Sequence, residues 1–371
     1  MTENTKYERS GSHQIRSGGP SKIRARALTT SGTLLALGGI LAACGSSTAS
    51  SALASASKTQ PTLVVYSAQG YDSSTVDAFH KATGIPVSLD DDSTGPLLTK
   101  IQAEASNPKW GLLWVDGDES FASMDTQGML LKGWEPNVNF NSLGKALIPA
   151  DKSYIPTGLT MAGTLVYNSS VVSNPPKTWS DLLSSSWKGQ IGMNDPAVSG
   201  PTFPFVAGMM NYLGGVTQGE AYYSQLKANG LQVFQTNGDT LHALETGQIK
   251  LALIQSSAGI GAGIKAPGIK TVFLAPSTPI PSVIGIDGKM PPAVIAEAKK
   301  FVQFVLSPAG QKAMQSGDPT GDSLYWPVLT GTNPLSAVPS ISSIQTQVVN
   351  PYQWGPQEGT INTWFTNNIV G

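Results

Sequence analysis

Leu63-Val64-Val65-Tyr66, then Val76, Phe79, His80 and Ala82 ahead of Gly84, then Val87-Ser88-Leu89, is the stretch on which the fold turns. A short β-branched run, an apolar face at helical spacing closed by glycine, and a second apolar run predict strand, helix and strand. The alternation continues. A helix is expected through Leu97, Leu98, Ile101 and Ala105, a buried strand at Leu112-Leu113-Trp114-Val115, and a helix from Phe121 to Gly128. Further strands are expected at Thr164–Tyr167, Gln190–Met193, Leu251–Ile254, Thr271–Leu274 and Ser282–Ile286. Ala293–Leu306 carries Val294, Ala298, Phe301, Val302 and Val305 on one helical face, with Pro308 beyond its end. Such alternation predicts an α/β body, and about 310 residues is more than one core organises, so two lobes are expected.

Ahead of that body lies an address. Lys6, Arg9, Arg16, Lys22, Arg24 and Arg26 precede the apolar run Leu34–Ile40, which is followed by Leu41-Ala42-Ala43-Cys44. A basic stretch, a short apolar core and small residues before a cut describe a secretory signal peptide over residues 1–43. The core is too short and glycine-rich to serve as a spanning anchor. Gly45–Pro61 is rich in Ser, Ala and Thr without apolar periodicity and reads as a flexible tether.

Composition closes off several classes. The chain has 371 residues with 23 basic and 24 acidic groups, 13% charged and 40% hydrophobic. Beyond residue 43 there remain 17 lysines, no arginine and 22 acids, a net of −5. A surface that tracks nucleic-acid phosphates needs clustered Lys and Arg, so no nucleic-acid partner is expected. One cysteine permits no intramolecular disulfide and no Cys-rich metal centre, and three histidines leave no HExxH zinc site.

Three landmarks along the body resemble bacterial extracellular solute-binding proteins of the ferric-iron/2-aminoethylphosphonate type. They are Val64–Gln69 with Ala78–Ile85, Pro176–Leu183 with Trp187–Gly192, and Lys300–Gln311. The resemblance implies a type II periplasmic-binding fold: two α/β lobes joined by crossover strands, with ligand held in the cleft and delivered to an ABC-transporter permease. It implies one lobe over 62–160 plus 275–330 and another over 161–274 plus 331–371, with crossovers near Gly163–Tyr167 and Thr271–Leu274. Leu-Ala-Ala-Cys resembles the bacterial lipobox, which makes Cys44 the expected lipidation site, with the tether over 44–61 and the membrane reached through the lipid alone. A monomer with no cofactor is expected.

The same resemblance points several helix starts at the cleft. Ser93-Thr94-Gly95-Pro96 and Ser199-Gly200-Pro201-Thr202 each offer a capping hydroxyl, a glycine that admits close approach, and proline at the first turn. Helix N-termini attract anions. Asn237, within Thr236–Thr240, opens a third helix, and Ser67, Gln69 and Tyr71 follow the first strand. Asp116 or Asp118 is placed to receive an ammonium group, although acidic runs of this kind also read as solvated rims. Ser256 and Ser257 stand where iron-binding members carry two tyrosines, and Gly70 replaces their histidine, so tyrosinate ferric chemistry is not expected. Without arginine no bidentate guanidinium clamp is available. The expected ligand is a small anionic or zwitterionic solute resembling an organophosphonate or organophosphate. A ferric or other metal receptor of the same fold, and an adhesive surface lipoprotein, are the alternatives. SxxK occurs at Ser185/Lys188 without KTG, and Gly261–Ala266 imitates a dinucleotide loop before Pro267; neither supports an enzyme.

Overall fold

The computed structural model describes residues 60–371. The expected signal peptide, Cys44 and nearly all of the tether therefore lie outside the described residues.

From β1 (Leu63–Ser67) the chain passes through α1 (Asp72–Thr83), β2 (Val87–Asp91), α2 (Thr94–Ala103), β3 (Leu112–Asp116), α3 (Asp118–Thr126) and α4 (Ser142–Leu147) into β4 (Tyr154–Ala162). After Gly163 come β5 (Thr164–Asn168), β6 (Ile191–Asn194), α5 (Thr202–Leu213), α6 (Val216–Ala228), β7 (Gln232–Phe234) and α7 (Asn237–Glu245). They are followed by β8 (Leu251–Ile254), α8 (Ser256–Lys265) and β9 (Ile269–Val272). The remainder is β10 (Thr278–Ile286), α9 (Pro292–Val305), α10 (Pro308–Gly317), α11 (Pro351–Trp354) and α12 (Glu358–Phe365).

Two five-stranded sheets result, in the orders β2-β1-β3-β10-β4 and β7-β6-β8-β5-β9. In the first, β1 runs parallel to β2 and β3, while β10 is antiparallel to β3 and β4. In the second, β6 is parallel to β7 and β8, and β5 is antiparallel to β8 and β9. The unbroken apolar run of β3 is buried on both faces, as a central strand between helical layers requires. The chain passes between the sheets at Gly163, whose φ of 59° suits glycine, and again between β9 and β10. These are type II periplasmic-binding architectures: two mixed α/β sheets, each with its own core.

In the first lobe, Phe301 of α9 stacks edge-on to Phe79 at 5.1 Å and to Trp114 at 6.0 Å. In the second, Phe205, Tyr223 and Phe365 form a chain of edge-on rings, so α12 completes that lobe's core.

Prolines mark where the structure exceeds the sequence reading. The strand expected at Ser282–Ile286 begins at Thr278, across Pro279 and Pro281. The β3 ladder covers only Ser282–Ile286, so both prolines sit where β10 pairs with β4 alone. β4 itself holds Pro156, tolerated on an edge strand beside a register shift. Ser256 and Ser257, expected on a loop, form the first turn of α8, and Gly261–Lys265 lies inside that helix rather than on a nucleotide loop. Gly261 is there because a Cβ would stand 1.9 Å from the Thr320 carbonyl.

Candidate functional site

A cavity of about 390 Å³ lies between the two sheets where their strands end, a size suited to a small molecule. Each element brings one edge to it. The first turn of α2 contributes Ser93 and Thr94, the end of β3 contributes Asp116, and the start of α5 contributes Ser199 and Gly200. The start of α7 adds Thr236, Asn237 and Gly238, the end of β8 adds Gln255, and the turn after α10 adds Asp318, Thr320, Gly321 and Asp322.

Asp116, 6% exposed, is the centre of a network that spans the cleft. Its Oδ1 accepts from Gln69 Nε2 at 3.0 Å and from the Ser282 hydroxyl, and its Oδ2 accepts from Gln255 Nε2 at 2.7 Å. Gln255, 3% exposed, also donates to Thr160 Oγ1 at 2.9 Å. Burial raises the Asp116 carboxyl above the usual range, with the three donors opposing it.

A second network holds the α5 and α7 starts. Asn194 Nδ2 donates to Asn237 Oδ1 at 2.7 Å and to Ser199 Oγ at 3.2 Å, while Thr240 donates to Asn194 Oδ1 at 2.6 Å. Ser199 is thus an acceptor towards Asn194, which leaves its hydroxyl hydrogen for the cavity. Thr236 and Asp239 form a reciprocal cap on α7. The first-turn N–H groups of Asn237 and Gly238 precede any intrahelical acceptor and sit at the cavity wall, at the positive end of the helix dipole.

From the first lobe, Asp322 Oδ2 accepts from the Gly70 N–H at 2.8 Å, and the Asp322 N–H donates to Asp318 Oδ2 at 2.8 Å. Burial, and then the charge of Asp116, push Asp322 up to about 7. The lining holds Asp116, Glu245, Asp318 and Asp322 against one base, Lys265. This wall is acidic.

The expected residues divide. Ser93, Thr94, Asp116, Ser199, Gly200 and Asn237 are brought together on the cavity. Gln69 lies directly behind Asp116, and Ser67 accepts from the Gln69 N–H at 3.2 Å; both are buried. Tyr71, at 1% exposure, packs between Trp114 and Tyr325 with ring centroids 5.4 and 5.9 Å away, so it belongs to the core behind the cavity. Ser256 accepts from the Met161 N–H at 3.0 Å and Ser257 donates to Asp322 at 3.4 Å. Thr202 is buried in the first turn of α5, its N–H donating to the Ser199 carbonyl. Gly95 is a lobe contact: its N–H donates to the Val198 carbonyl at 3.1 Å, and a Cβ there would lie 1.9 Å from the Ala197 carbonyl. Asp118 opens α3 away from the cavity lining.

Asp318 and Asp322 escaped the sequence reading. Gly317-Asp318-Pro319-Thr320-Gly321-Asp322 is dense in turn residues with two acids, a signal that was present, but nothing linear ties it to Asp116 two hundred positions earlier. Among the described residues no three His, Cys, Asp or Glu side chains converge in a metal-holding group. No helix among them is long and apolar enough to cross a membrane.

A family model described as bacterial extracellular solute-binding protein matches residues 74–340. A Salmonella paratyphi A protein named "Putative 2-aminoethylphosphonate-binding periplasmic protein" is 26% identical over 242 residues, 63% of this chain and 68% of that one. Among solved structures, the periplasmic binding protein AfuA from Actinobacillus pleuropneumoniae, with fructose-6-phosphate bound, superposes with a TM-score of 0.73 at 17% identity over 83% of this chain and 98% of that one. Iron-bound HitA from Pseudomonas aeruginosa gives 0.68 at 21% identity over 81% and 98%. At these identities the structural likeness carries the fold.

Proposed function

Since this chain belongs to the bacterial extracellular solute-binding proteins, we propose that its cavity captures a small zwitterion of the aminoalkylphosphonate kind for import through an ABC transporter. One observation carries the reading. A single small cavity is lined both by the carboxyls of Asp116, Asp318 and Asp322 and by hydroxyl and N–H donors at Ser93, Thr94, Ser199, Asn237 and Gly238.

An ammonium group beside these acids offsets the excess of negative charge that Lys265 alone leaves in the lining. Asp116 already accepts three hydrogen bonds, so Asp322 is its main partner. A phosphonate is held by neutral donors and two helix dipoles, the means left to a body without arginine. Serine at 256 and 257, committed to Met161 and Asp322, disfavours the ferric alternative. The Leu-Ala-Ala-Cys44 motif supports attachment by lipid, with the folded body on the outer side of the membrane.

Isothermal titration calorimetry with 2-aminoethylphosphonate, ethylphosphonate and ethylamine tests the cavity. Binding of the zwitterion with weak or absent binding of both fragments is expected. Equal binding of ethylphosphonate would overturn the role of the acidic wall, and equal binding of ethylamine that of the helix starts. Loss of membrane attachment in Cys44→Ala tests the anchor.

A further inference from the structure

Away from the cavity and the Gly95–Val198 contact, the lobes also meet at a seam formed by α3 and the C-terminal segment. Trp354, Ile361 and Phe365 belong to the core of the second lobe, yet Gly355 rests on α3 of the first. A Cβ on Gly355 would stand 2.1 Å from the Glu119 carbonyl and 3.2 Å from the Ser123 nitrogen. The Ser120 hydroxyl donates to Glu358 Oε2 at 2.9 Å, and the Tyr352 hydroxyl donates to Asp125 Oδ2 at 2.9 Å. Both bonds cross between lobes. Glu358 lines a separate cavity of about 400 Å³ with Gln102, Ser120, Ser123 and Asn362.

The charges at this seam are unbalanced. Glu119 is 3% exposed and its Oε2 has no hydrogen-bond partner. Its neighbours are Asp118 on the same turn, Glu358 from α12, and Tyr154 of β4, which in turn stands beside Tyr352 of α11. Lys132 is engaged by Asp125 and Asp151, and among the described residues no ion pair includes Asp118, Glu119 or Glu358. From α5 the facing residue is Pro204, which brings no charge.

We propose that this seam is a proton-dependent latch: closing the lobes buries Glu119 and partly buries Asp118 and Glu358 without a basic partner, so closure takes protons from solvent onto these carboxyls. Burial pushes Glu358 up to about 7 and Asp118 up to about 6, and burial with the Asp118 charge pushes Glu119 well above the usual carboxylate range. With the lobes apart, water restores the ordinary carboxylate range. Closure is therefore favoured in full below that range and loses its advantage as pH rises through about 6 to 7. Glu358 and Glu119 act here as positioning residues, through lobe geometry and not through ligand contact.

Small-angle scattering of the purified protein without ligand, from about pH 5 to about pH 8, reads this directly. The radius of gyration is expected to be smaller at the acid end. Glu358→Gln mimics the protonated carboxyl and is expected to extend the compact form upward by about one pH unit, with Glu119→Gln as an independent second variant. Asp322 in the ligand cavity titrates in the same range, so the shift between variant and wild type, and not the wild-type profile alone, is decisive. A radius independent of pH, or variants that follow the wild-type profile, would overturn the latch. No ligand is added, so that failure leaves the aminoalkylphosphonate reading standing, and a failed titration with that ligand leaves the latch standing.

Discussion

Gln255 and Asp116, separated by 139 positions in sequence and carried by different lobes, share a buried 2.7 Å hydrogen bond across the cleft. Removing the amide leaves Asp116 with Gln69 and Ser282 alone on the first-lobe side. An unmade bond to a buried carboxylate costs about 1–3 kcal/mol. Gln255→Ala is therefore expected to weaken ligand binding roughly tenfold, mainly through faster dissociation measured by stopped-flow release. An unchanged dissociation rate would show that the bridge does not hold the closed form.

Asp322→Asn separates ligand recognition from stability. Because burial raises the Asp322 carboxyl to about 7, its contribution to stability is full below the ordinary carboxylate range and is lost as pH rises through about 7. The variant is expected to melt at a higher temperature than wild type at about pH 8 and to differ little at about pH 5, by thermal denaturation without ligand. Its affinity for 2-aminoethylphosphonate should fall at least about tenfold at the alkaline end, where wild-type Asp322 is charged.

Gly95→Ala tests the inter-lobe contact. The added methyl meets the Ala197 backbone carbonyl, which cannot rotate away, while each lobe's own core is untouched. Overpacking of this kind costs about 1–3 kcal/mol, and here the cost falls on closure. Melting without ligand should change little while affinity drops about tenfold or more by calorimetry. A fold that collapses instead would place Gly95 in the stability of the first lobe.

Phe301→Ala addresses the first core. Phe301 is fully buried and edge-on to both Phe79 and Trp114, so its truncation should cost about 3–5 kcal/mol in chemical denaturation. Calorimetric stoichiometry for the ligand in the folded fraction should be preserved, since the ring does not reach the cavity lining.

How much of this was legible depends on the range of each signal. β1, β3 and β8 were readable because apolar runs and glycine stops are local, and α9 because its apolar face repeats over fourteen residues. β4 was not, since Pro156 and Gly158 break its pattern and only the pairing with β10 explains them. In the site, Ser199 and Asn237 were visible as helix starts. The bond from Gln255 to Asp116 and the approach of Asp322 were not, because each arises when two lobes come together. In the sequence Gly95 reads as a point of ligand approach, whereas in the structure it serves the approach of another backbone.

The strand order fixes a sequence of assembly. The second sheet is built from one continuous stretch, β5 to β9, but the first must receive β10 between β3 and β4. A chain that emerges from its N-terminus leaves β3 without that neighbour until Ile286 has emerged. By then every strand of the second sheet has already emerged. The lobe that begins first in sequence is the one that closes its sheet last, and Leu112–Val115 is the apolar segment left unpaired on one side during that interval.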